Sequence, residues 1–237
     1  MSAAEGQQQR RRPRLGWSVL LAIMIYLLIA YLVMPQLNHW SARRHPDLTA
    51  GEHLTQTSSG IPGDPLNIAV VGSEEDVVRA LHAAGWNPAN PLSFKSCMRI
   101  AVDTVFKKPD PNAPVSSLYL YGRKEDLAFE KAVGHSPRER HHVRFWRSDQ
   151  TDDGRPLWMG AATHDIGVEL SRTTAQITHR IAADVDAERN LLLAELSQAN
   201  PLLTTRWIEG FHKVVQGRNG GGDPWHTDGQ LPVATLP

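Results

Sequence analysis

The sequence predicts an α+β domain built on a mostly antiparallel sheet with about three helices, preceded by one N-terminal transmembrane helix. Three observations predict it. Residues 15–34 read LGWSVLLAIMIYLLIAYLVM, with no charged side chain. Several short runs rich in β-branched and aromatic residues follow, separated by Gly, Asp and Pro turns. Helical periodicity is confined to stretches on either side of those runs, which is the order of elements in an α+β layer fold.

At the helical rise, twenty apolar residues span about 30 Å, the thickness of a bilayer's hydrocarbon core. Arg10, Arg11, Arg12 and Arg14 precede the run and only Arg43 and Arg44 follow closely. That excess keeps the N-terminus cytoplasmic and sends the remainder across. A cleavable signal peptide has a shorter apolar core and a small-x-small site, whereas this run ends in MPQLNHW. The expected layout is a basic cytoplasmic tail (1–14), an anchor in the inner membrane (15–37), a linker rich in Ser, Thr, Gly and Pro (38–63) and an extracytoplasmic domain (64–237).

Charge is balanced, with 25 basic and 25 acidic residues, which speaks against nucleic acid as a partner. The single cysteine, Cys97, excludes an internal disulfide and a Cys-rich metal site.

Within the domain, LNIAVV (66–71) reads as a buried strand. SEED (73–76) opens a helix with Ser73 as cap and Asp76 three residues on, and Gly85 ends it. Apolar residues at helical spacing predict a second helix over 93–108, with Cys97 on its core stripe. SSLYLY and LAFEKAV read as two antiparallel strands. HHVRFW and PLWMGAAT read as two more around Asp152, Asp153 and Gly154, with ITHRIA as a fifth. A helix starts at Asp184 with Val185, Leu192, Leu193 and Leu196 on its apolar face, and stops at Asn200-Pro201. TTRWIEGF is read as the last strand.

Alternation along HHVRFW puts His141, Val143 and Phe145 on a core face, and His142, Arg144 and Trp146 on a polar one. His142, Arg144 and His164 are expected to converge on that polar face, with Asp165 and Arg180 near them. Three readings stay open. The imidazoles with Asp165 suit a zinc ion, but no HExxH-type spacing supports it, and no metal ligand is assigned. Arg144 and Arg180 suit bidentate recognition of phosphate or carboxylate, with a histidine moving a proton. The third reading is a solvated face of mutually paired groups. GRNGGGDPW (217–225) offers Arg218 and the backbone N–H groups of Gly220, Gly221 and Gly222 as an anion-binding nest; by composition alone the flexible tail is the preferred reading. No Ser-His-Asp arrangement emerges.

The motifs VSSLYLYGRKEDLAFE, SPRERHHVRFWR, LWMGAATHD, HRIAADVDAERNLL, WIEGFH and GRNGGGDPWHTDG together resemble the LssY C-terminal domain family over residues 64–227. The resemblance implies a bacterial envelope module working beside membranes, near lipid or polyprenyl phosphates. The family also occurs fused to membrane proteins with a phosphatidic-acid-phosphatase-type domain. That phosphatase's arginine–histidine signatures are not present here, so its activity is not carried over, and no catalytic residues or cofactors come with the resemblance.

The function expected from the sequence is a membrane-anchored binding or accessory module for an anionic ligand, with a lipid phosphate or an envelope protein as partner. Arg144, Arg180, Arg218 and Gly220 to Gly222 are its binding residues. The alternative is a hydrolase of phosphate esters or envelope glycans, using His142 or His164 as acid/base and Asp165 to orient it.

Overall fold

The computed structural model describes residues 13–34, 36, 53–58, 60–89, 117–133, 136–171 and 177–237. The helix expected over 93–108, with Cys97, lies outside the described residues, as does most of the basic tail and the front of the linker. At the N-terminus, α1 (Pro13–Leu28) runs directly into a π-helical turn, Ile29–Val33. Among the described residues, no helix is long and apolar enough to cross a membrane.

The fold is α+β. In chain order the domain comprises β1 (Leu54–Gln56), β2 (Pro62–Pro65), β3 (Ile68–Val71), α2 (Glu74–Ala83), β4 (Asn87–Pro88), β5 (Tyr119–Leu120), β6 (Arg123–Lys124), β7 (Leu127–Val133), β8 (Ser136–Asp152), β9 (Arg155–Leu170) and β10 (Ile177–Ile181). It continues with α3 (Val185–Ala199), β11 (Thr204–Ile208), β12 (Gln216–Arg218), β13 (Pro224–His226) and β14 (Leu231–Thr235). The main sheet has the order β11-β14-β3-β9-β8-β7-β4, with β10 pairing the far end of β9. All its pairs are antiparallel except β14 with β3. A second sheet has the order β2-β1-β5-β6.

Each face of the main sheet has its own apolar core. One joins Val143, Phe145 and Trp158 to Val77 and Leu81 of α2 and Leu192 and Leu196 of α3. The other joins Trp146, Met159 and Ala161 to Leu118 and Leu120 beside and within the small sheet. The main sheet is therefore a middle layer, with helices on one side and the small sheet on the other.

Local chemistry explains most elements. Ser73 and Asp76 form a reciprocal capping box at the start of α2, satisfying two orphan N–H groups. Asp184 accepts from the N–H groups of Asp186 and Ala187 at the start of α3. The β8–β9 turn places Asp153 and Gly154 at φ of 52° and 72°, the two-residue turn whose twist matches a hairpin.

Four expectations change. SSLYLY and LAFEKAV do not pair with each other. Tyr121 and Gly122, both at positive φ, fold β5 back on β6 within the small sheet, leaving β7 to pair with β8. The linker expected through residue 63 contains β1 and the first half of β2, with Thr55 buried. TTRWIEGF is not the last strand, because β14 follows and lies between β11 and β3. The glycine-rich segment is the ordered turn of the β12–β13 hairpin.

Asn67, fully buried, fastens the middle layer to α3. Its amide donates to the carbonyls of Ala162 and Val185, and its Oδ1 accepts from Ala162 N–H. Asn67→Ala removes three hydrogen bonds to buried backbone groups, and urea denaturation should record a loss of about 2–4 kcal/mol. A loss under about 1 kcal/mol would mean that water replaces the amide.

Candidate functional site

The register of the β7–β8–β9 ladder sets the site. Glu130 lies opposite His142, and His142 opposite Thr163; Arg140 lies opposite Asp165, and Arg144 opposite Ala161. These residues share the face turned toward the small sheet. His141 lies opposite His164 on the helix side. The convergence expected of His142, Arg144 and His164 therefore does not occur, because His164 is on the other face. Asp165 does meet His142, and His179 of β10 joins them.

The centre of the cluster on the small-sheet side is buried. His142, Asp165, Arg140 and Arg144 are each less than a tenth exposed. His142 Nδ1 lies 2.9 Å from Asp165 Oδ2, an ion pair outside good hydrogen-bonding alignment. Its Nε2 is 3.3 Å from Glu130 Oε2, which also accepts from Arg140 at 3.1 Å. His179 Nδ1 is 3.8 Å from Asp165 Oδ2. Arg144 stands 3.8 Å from Asp64, whose Oδ1 accepts from Asn219 Nδ2 at 3.1 Å.

Burial opposes charge on His142, but Asp165 and Glu130 outweigh it and hold its pKa above the ordinary 6.5. Burial likewise opposes charge on Asp165 and Glu130; His142 outweighs it for both, with Arg140 adding at Glu130, and both pKa values fall below their ordinary ones. Asp64 moves the other way, since burial outweighs Arg144. His179 is held neutral-ward, first by burial and then by the cations around it. The cluster thus sets His142 and two guanidiniums against the carboxyl groups of Asp165 and Glu130, with Asp64 beside Arg144.

The remaining sequence candidates fall elsewhere. Arg180 is exposed, opposite Gly167 on β9, and does not join Arg144. Arg218 is exposed, and its guanidinium donates to Gly222 O at 2.7 Å. The expected nest is already filled by the protein: Asn219 Oδ1 accepts from the N–H groups of Gly221 and Asp223, and Asn219 O accepts from Gly222 N–H. Glycine is needed there for room, since a Cβ on Gly220 would lie 2.5 Å from Thr57 Cγ2. Beside this turn, Asp223 accepts from Ile181 N–H and faces Glu169; burial and then that second carboxyl push its pKa up to about 6.

Sequence reasoning missed Asp64, Glu130, Arg140, His179 and Asp223. The signal available for Arg140 was its place two residues before His142 on the same strand, and for Glu130 the alternation of the neighbouring strand LAFEKAV. Asp64 and Asp223 gave none: Asp64 stands at the expected first residue of the domain, against the linker, and Asp223 ends the glycine-rich segment.

The LssY C-terminus family model matches residues 44–231. The chain belongs to the LssY C-terminal family. No curated protein and no solved structure matches it. The matched span takes in both layers that cover the His142 cluster and the β12–β13 hairpin, so the buried ion pairs lie wholly within the LssY C-terminal domain.

Two outcomes follow from the charge pairing. Asp165→Asn removes the first of the two carboxylates that face buried His142 and leaves Glu130 alone at 3.3 Å, and chemical denaturation at pH 7 should show a loss of about 3–5 kcal/mol. Asp223 has a folded pKa above its ordinary 3.8, so its contribution is full at low pH and is lost as pH rises through about 6. Asp223→Asn keeps an acceptor for Ile181 N–H without the charge. Its melting temperature relative to wild type should rise between pH 5 and pH 7; a constant difference would refute the assignment.

Proposed function

We propose that this LssY C-terminal domain is an extracytoplasmic binding or accessory module of the bacterial envelope, held to the membrane by its N-terminal helix and not acting through His142. The observation that carries this reading is burial: His142 and Asp165 are 2% and 3% exposed and already paired to protein groups. A general acid or base must come within hydrogen-bond reach of its substrate, and these two face the interior between layers.

The anchor is supported by the twenty uncharged residues 15–34 and by the exposed apolar side chains along the α1–π segment, Trp17 and Leu32 among them. Basic residues ahead of that segment support an N-terminus in the cytoplasm. For an anionic, phosphate-bearing ligand the supporting residues are Arg180 and Arg218. Both are exposed, and both belong to one corner, where Ile181 N–H reaches Asp223 and Thr178 packs by Gly221. Arg144 drops out of that role because it is buried beside Asp64.

A protein partner is the second reading, and one observation favours it. β11 is an edge strand of the main sheet, exposed at all five residues, with Trp207 and Ile208 among them. Exposed edges can accept a further strand.

A periplasm-only reporter fused at the C-terminal end should be active, and a silent fusion in a folded, membrane-inserted chain overturns the orientation. Full-length protein in detergent should gain thermal stability with inorganic phosphate or phosphatidic acid micelles; ligand at about a hundred times its Kd adds roughly 2.7 kcal/mol. Arg180→Ala combined with Arg218→Ala should abolish the gain. No gain in wild type removes the anion reading and leaves the β11 edge as the binding surface.

A further inference from the structure

On the helix side of the sheet, away from the His142 cluster, two histidines and a glutamate meet. We propose that His141, His164 and Glu188 bind a divalent transition-metal ion of the zinc class. The donor atoms of the three side chains all lie within 4.8 Å of one another. Two imidazoles with one carboxylate is a donor set that zinc accepts, and imidazole selects against calcium and magnesium.

The backbone fixes the geometry. His141 and His164 are direct cross-strand partners on β8 and β9, with ring centroids 4.8 Å apart and planes 32° from parallel. Glu188 stands one turn before Leu192 on the face that α3 lays against β9, and is 3% exposed. Its Oε2 lies 2.8 Å from His141 Nδ1. Tetrahedral donors on one zinc ion are about 3.4 Å apart, from metal–ligand distances near 2.05 Å. Closing the set on an ion therefore takes side-chain adjustments on the order of 1 Å.

A simple His–carboxylate hydrogen bond does not account for the group. It leaves Glu188 Oε1 and His164 Nε2 buried with no hydrogen-bond partner, and buried polar atoms are nearly always paired. Both atoms belong to the same three-residue set. Among the described residues, His141 is the one ion-pair partner of Glu188. The adjacent cations are engaged elsewhere: Lys131, opposite His141, binds Glu195 at 2.7 Å, and Arg189 binds Asp186 and Asp228. A divalent cation satisfies both orphan atoms at once and neutralises the buried carboxylate. Three protein donors leave a further position for water or an incoming group, and the ion ties α3 to the β8–β9 hairpin.

The test uses the full-length protein in detergent, stripped with a chelator and titrated with zinc by calorimetry and with cobalt by visible absorbance. The expected result is one ion per chain, a cobalt band of a nitrogen–oxygen site, and a higher melting temperature with zinc. Loss of outer-shell partners alone costs 10–100-fold in metal affinity, so His164→Ala and Glu188→Gln should each weaken zinc by at least about 100-fold. Glu188→Gln preserves size and hydrogen bonding, so it decides the matter if His164→Ala fails to fold by circular dichroism. Absence of saturable zinc binding overturns the proposal, as does unchanged affinity in Glu188→Gln. Neither outcome bears on the phosphate or strand-edge readings, whose residues lie elsewhere.

Discussion

The β8–β9 hairpin, strands of 17 and 16 residues, is covered over much of its length on both faces, yet it carries Arg140, His141, His142, Arg144, His164 and Asp165. A charge moved from water into a protein interior is tolerated only when paired and hydrogen-bonded. The rest of the domain can be understood as the means of meeting that demand. β7 supplies Glu130, β2 supplies Asp64, β10 brings His179 beside Asp165, and α3 brings Glu188 to His141. The apolar cores on each face then hold these partners in place without contributing to their neutralisation.

Pairing on the small-sheet side continues outward as a relay. Arg144 faces Asp64, Asp64 accepts from Asn219, and Asn219 organises the glycine turn through its Oδ1. Asp223 closes the turn onto Ile181 N–H of β10. The turn thus acts as a clasp between the β12–β13 hairpin and the main sheet, and its amide donors serve the fold. Surface recognition in that corner is left to the arginines around the turn, whose charges project outward.

Much of this was legible in the sequence, and one part was misread for a physical reason that can be named. Caps at Ser73 and Asp184, the Asp153-Gly154 turn and the apolar face of α3 all follow from local chemistry. The face of His164 was legible too. A two-residue turn pairs Asp152 with Arg155, so odd residues on one strand oppose even ones on the other. The bulge between Arg147 and Thr151 shifts the register by two and keeps that parity. His164 must therefore share His141's face, whichever register the hairpin adopts. Burial of His142 and Arg144 was not legible. Arg144 is met by Asp64 of β2, itself held by Asn219 from the segment after β11, and the Gly and Pro content of those stretches resembles linker and tail. Short strands of that composition reveal themselves only through the partners they find.

The two faces differ in how completely they meet the demand for neutrality. Toward the small sheet, three cations are set among three carboxyl groups, and the pKa shifts of His142, Asp165 and Glu130 all favour the charged forms. Toward the helices, Glu188 has a histidine for a partner and an oxygen left over, although a glutamine would fill the same volume without a charge to neutralise. Buried ion pairs can often be replaced by apolar residues at no cost, so stability alone gives little reason for a carboxylate at that point on α3. A cation arriving from solution supplies that reason. His141 and His164 are both partly exposed, so they can admit such an ion, whereas the opposite cluster is closed by its own partners.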